Sequence, residues 1–151
     1  MDDKSVVDVL NKLIETSRDG AAGFRACADG ADDPSLKSYF TVCATRCTTA
    51  VGQLAALVVR HGGEPSASGT VAASAHRAWL NVKTAVTSKD DLAVLEESER
   101  GEDVALRAYG VAMEEPLPPE VARVVLEQYE GVLENHDRIK SLRDERRRRS
   151  A

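Results

Sequence analysis

Near the C-terminus the run EQYEGVLENHDRIK sets His136 behind Glu127, Glu130 and Glu134. An imidazole among carboxylates is the chemistry of a transition-metal ligand set. Bundle enzymes with two iron or manganese ions carry a Glu three residues before the His on one helix, but position 133 here is Leu133. Glu130 and His136 would lie about 9 Å apart along a helix axis, too far to chelate one ion as a local pair. The partners of His136 must therefore come from another segment, and SERGED supplies Glu99 and Glu102.

Glu99, Glu102 and His136 together would suit iron, manganese or zinc. The same side chains also fit a buried polar network without a cofactor, in which Arg46 neutralises Glu102 and Gln128 supplies further hydrogen bonds. A guanidinium beside the carboxylates would repel a cation, so the network is the favoured expectation and no cofactor is required. Other candidates are weaker. His61 precedes two glycines at a helix end, where its cation would complement the dipole. His76 flanks Trp79, and Cys43 and Cys47 lack the C-x-x-C spacing of a zinc site, so packing roles are expected for all three, with Cys27 a further buried thiol. HGGEPSASG lacks the lysine of a phosphate-binding loop.

These residues need helices to position them. Apolar residues recur at helical spacing from Val6 to Ala28, from Leu36 to Leu57, from Leu92 to Met113 and from Val121 to Leu142. Ser5 is the expected cap of the first helix, which leaves Ser17 on its core line and Glu15 and Asp19 on its polar side. Asp33 and Pro34 open the second, Ser88 and Asp91 the third, and Pro118 or Pro119 the fourth. Between the second and third, Thr70 can cap a short crossover segment carrying Val71, Ala75, Ala78, Trp79 and Val82. No segment alternates like a strand. The expected class is all-α: a four-helix bundle of two antiparallel hairpins joined by a long crossover with a short extra helix.

At 151 residues the chain suits one domain over 1–151. The start, MDDKSVVDVL, is acidic and has no secretory pattern, and no unbroken apolar run approaches a membrane span, so a soluble cytoplasmic protein without a membrane partner is expected. The net charge of -5 conceals a basic end. Residues 143–151, with Arg146, Arg147, Arg148 and Arg149, read as a solvated, frayed tail, with contact to nucleic acid or another anion as the alternative. A homodimer is plausible, because an uneven bundle leaves one apolar flank.

DGAAGF, HGGEPSASG, HRAW, ESERGEDVALRAY, LPPEV and QYEGVLENHDRI resemble stretches of a bacterial ferritin-like four-helix-bundle family known only as a domain of unknown function. The resemblance implies a ferritin-like fold. That superfamily stores or oxidises iron at a di-metal site, with a Glu on each of two helices and a Glu-x-x-His on each of the others. Glu102 or Glu99 would match the third-helix carboxylate and His136 the fourth-helix imidazole. Leu133 breaks the fourth-helix motif, the second helix has no Glu-x-x-His, and the first has no acid on its core line. The resulting expectation is a non-catalytic structural or interaction protein with a degenerate metal site, the alternative being an iron-binding or iron-oxidising protein.

Overall fold

The computed structural model describes residues 1–67 and 90–150. Among these residues the chain forms four helices and no strand: α1 Asp3–Gly30, α2 Pro34–Arg60, α3 Asp91–Met113 and α4 Pro119–Ser150. The all-α expectation is met. The expected crossover helix, with His76 and Trp79, and the Ser88 cap lie outside the described residues.

Helix boundaries follow local chemistry. Asp2, rather than Ser5, caps α1, and its carboxylate accepts the Ser5 backbone N–H at 2.8 Å. Asp33 caps α2 with Pro34 in the first turn, where the missing proline N–H has no intrahelical partner to lose. Gly62, at φ 78°, takes the left-handed turn that stops α2. Asp90 caps α3 through the N–H groups of Leu92 and Ala93.

Cross-helix pairs fix the directions. α1 and α2 are joined by a short turn, and Arg25 reaches Thr48, so they run antiparallel. Asp91, the first residue of α3, accepts the N–H groups of Asp32 and Asp33 at 2.8 and 3.1 Å, whereas Tyr109, near its end, meets Ser17. α3 therefore runs antiparallel to α1. α4 returns antiparallel to α3, with Gln128 at Tyr109, Asn135 at Glu102 and Arg143 at Glu99. The order is up, down, down, up, and the connection across residues 61–90 must join opposite ends of the bundle.

The first part of that connection climbs α1 one turn at a time. His61 Nδ1 lies 2.8 Å from Asp3, the Asn11 side chain holds the Glu64 carbonyl and the Ser66 N–H, and Ser66 Oγ donates to Glu15 at 2.9 Å. This strap corrects the sequence reading of the first helix. Glu15 and Asp19, expected on an open polar side, are 7% and 9% exposed. Glu15 is covered by the strap, which periodicity within one helix cannot reveal.

The apolar core is in two halves. One gathers Phe24, Phe40, Leu95 and Ile139 near the α1–α2 turn. The other gathers Leu10, Leu13, Leu54 and Val125 near the opposite end. Between them lies a polar layer.

α2 is a thinly covered wall. It is long and apolar enough by length and composition to cross a membrane, with mean hydropathy 1.5 in its most apolar window, only 33% of which is buried. The count of unbroken apolar residues overlooked it, because serine, threonine and glycine punctuate the helix.

The basic segment from residue 143, expected as a frayed tail, continues α4 to Ser150. Three of its arginines meet acids from elsewhere in the fold. Arg143 pairs with Glu99, Arg146 with Asp33 and Asp91, and Arg147 with Glu96.

Candidate functional site

Each helix contributes to the layer between the half-cores: Ser17 and Gly20 from α1, Cys43 and Cys47 from α2, Glu102 and Tyr109 from α3, and Gln128 and Asn135 from α4. Gly20 permits the close approach of α1 and α2, since a Cβ there would stand 3.1 Å from Cys47 Sγ. Glu102 is 5% exposed. Asn135 Nδ2 donates to Glu102 Oε2 at 2.9 Å, and Asn135 Oδ1 accepts from Tyr39 Oη and, at 3.3 Å, from Cys43 Sγ. The amide thus couples the carboxyl to a phenol and a thiol on α2.

A second chain of bonds begins two turns away. Tyr109 Oη donates to Gln128 Oε1 at 2.7 Å and lies 3.3 Å from Ser17 Oγ, while Gln128 Nε2 donates to Gln53 Oε1 at 2.9 Å. Gln128 therefore serves Tyr109 rather than Glu102.

Burial governs the electrostatics. Loss of hydration pushes the Glu102 carboxyl up to about 7, although the Asn135 amide and the nearby His136 and Arg46 side chains act to lower it. Burial likewise pushes the Cys43 thiol up to about 11 and raises Cys47 and Cys27 further. These thiols are poor nucleophiles at neutral pH.

The residues singled out from sequence are divided between two places. Glu99 and His136 come together with Asp103, and their ligand atoms all lie within 4.8 Å of one another. His136 Nε2 is 2.6 Å from Asp103 Oδ1, and Arg143 Nη1 donates to Glu99 Oε1 at 2.6 Å. Glu102 turns away from this group into the polar layer. Arg46, expected to neutralise Glu102, is exposed and forms no ion pair with it among the described residues. Arg46 lines the cleft between α2 and α4 and lies open to solvent, so hydration serves its charge in place of the carboxylate.

Asn135 and Asp103 were missed from sequence. Asn135 falls three residues after Val132 and four before Ile139, the spacing of a core position. Asp103 lies one turn from Glu99 on the flank of α3. Periodicity carries both signals, although each residue sits beside a more reactive neighbour, His136 or Glu102.

A cleft of about 420 Å³ opens between α2 and α4 onto this layer. Glu102 and Asn135 lie at its polar side, Phe24, Ala50 and Val132 form apolar walls, and Arg46 stands among its lining residues.

Comparison with curated proteins gives no match. The sequence profile of one family, Domain of unknown function (DUF2383), matches residues 5–115. That stretch covers well over half of the chain, including α1, α2 and α3 with the Glu102 carboxyl, and the chain belongs to the DUF2383 family.

Proposed function

We propose that this chain is a ferritin-like bundle whose central position is a hydrogen-bonded network rather than a di-metal centre, and that it acts as a non-catalytic binding or structural protein. The up-down-down-up order and the end-to-end connection support the ferritin-like assignment, which is the one-crossover pattern of such bundles. One observation carries the functional reading. Where the four helices converge, Glu102 is surrounded by Asn135, Cys43, Cys47 and Ser17, a set with one carboxylate and no imidazole. Two iron ions need several of each, and the protonated thiols do not replace them.

Addition of Fe(II) under nitrogen to the chelator-treated protein, followed by air, tests this reading. Oxidation at the rate of buffer alone is expected. A burst of protein-dependent Fe(III) absorbance that disappears in Glu102→Gln would overturn it.

A second reading is favoured by the grouping of Glu99, Asp103 and His136. This flank would hold one divalent ion if Arg143 released Glu99, with two carboxylates and an imidazole supplying a mixed donor set. Manganese or zinc binding at one equivalent, abolished by His136→Ala, is its expected signature.

A further inference from the structure

We propose that the face between α2 and α4 is a two-fold interface between copies of this chain, in which Arg46 of each copy is held by Glu127 and Glu134 of the other. The cleft there has rims of opposite charge. Arg46 stands on the α2 rim, with Val42 one turn before it, and Glu134 stands on the α4 rim. Among the described residues Arg46, Glu127 and Glu134 are exposed and form no ion pair, whereas Arg60 pairs with Glu120 between the same two helices.

Hydrogen bonds across the cleft fix the heights. Asn135 Oδ1 accepts from Cys43 Sγ at 3.3 Å, and Gln128 Nε2 donates to the Ala50 carbonyl at 3.3 Å. α2 is thus antiparallel to α4, and Arg46, three residues after Cys43, stands level with Val132, three before Asn135. Gly131 adjoins Val132, and Glu127 and Glu134 lie one turn to either side of it on the same flank of α4. A two-fold axis entering the cleft at this height lays α2 of the second copy against α4 of the first, and the reverse. Arg46 of the second copy then comes to Gly131, about 6 Å along the helix axis from Glu127 and about 4.5 Å from Glu134. A Cβ built on Gly131 meets no atom within 4 Å, so the place is open.

The mixture of charges favours a second copy over a small ion. An anion approaching Arg46 meets Glu134, which borders the same hollow, and a cation approaching Glu134 meets Arg46. A copy of the same face brings both signs and answers both. Exposed ion pairs contribute little by themselves, so apolar contact has to accompany them. Val42 is 55% exposed, and Ala50 and Val132 line the cleft. Thr45 gives its hydroxyl to the Thr41 carbonyl and so offers its methyl group. The described part of the connection keeps clear of this face: Ser66 lies against Asn11, Glu15 and Arg18 of α1, and Glu15 borders the groove between α1 and α3, across the bundle from the cleft.

Sedimentation of the full chain at micromolar concentrations tests the proposal, and a reversible monomer–dimer equilibrium is expected. Arg46→Glu alone, or Glu127→Lys with Glu134→Lys, sets like charges opposite one another. Each variant should dissociate about tenfold or more readily, with its helical circular-dichroism spectrum unchanged. Mixed in equal amounts, one of them carrying an N-terminal fluorophore, the two variants regain opposite charges at both rims, and a heterodimer of near-native affinity is expected. Neither pairing of Arg46 with Glu134 inside one chain nor a dimer through another face would produce that exchange. Gly131→Leu should weaken the native dimer without altering a charge. A monomer at every concentration, a dimer indifferent to these variants, or a mixture no tighter than its components would overturn the proposal. So would an Arg46-dependent titration by hexanoate that holds the chain monomeric, because the occupant would then be a small anion. Iron oxidation in the experiment above would defeat the functional reading and leave this interface standing.

Discussion

Glu102 is a residue whose environment decides its protonation. Its carboxyl is held at about 7 in the folded chain against an ordinary value of 4.5, so the folded state binds the proton more tightly than the unfolded state. The resulting stabilisation is complete below pH 4.5, declines as pH rises toward 7, and is absent above it. Its full size is on the order of 3 kcal/mol. Chemical denaturation between pH 5 and 8 should therefore show stability falling by an appreciable part of that amount, and Glu102→Gln should flatten this component and be the more stable protein at pH 8. An identical pH slope in the two proteins would show that Glu102 is hydrated. The burial of this residue was legible from spacing, since Leu95 and Tyr109 lie seven positions to either side. It concealed the partner. A charged Arg46 was the more conspicuous candidate, but it lies exposed, and the neutral amide of Asn135 is the group that bonds the carboxyl.

At the scale of elements, Asp91 holds one end of the bundle together. Its carboxylate accepts two backbone N–H groups from the α1–α2 turn, and Arg146 from α4 approaches both Asp91 and Asp33. Asp91→Ala would remove the acceptor from two partly buried donors and should cost about 1 to 3 kcal/mol, measured as a shift of the urea midpoint without a change in its slope. A midpoint unmoved by the substitution would mean that water serves those N–H groups equally well. Element boundaries were legible because Asp33-Pro34, Gly62 and Pro119 have local conformational reasons to start or stop helices. The strap over Glu15 was not legible, because HGGEPSASG carries no periodicity to announce which helix it follows. The ion pairs at the end of α4 were hidden for a related reason: a basic run shows no partners until Glu96, Glu99 and the Asp33–Asp91 corner are brought beside it.

At the scale of the molecule, the class and the two hairpins follow from hydrophobic spacing, whereas the division of the core into two apolar halves around a polar waist follows from where individual polar residues interrupt four separate stripes. The hairpins are local in sequence, but their union is not. Asp91 joins the turn of one to the start of the other entirely through hydrogen bonds and ion pairs, and the apolar half-cores seal the rest. A chain severed between residues 67 and 90 should be reconstituted by mixing its two fragments, with assembly dependent on their concentration. Co-expressed halves would then act as a complementation pair, reporting in a cell whether the proteins fused to them have met.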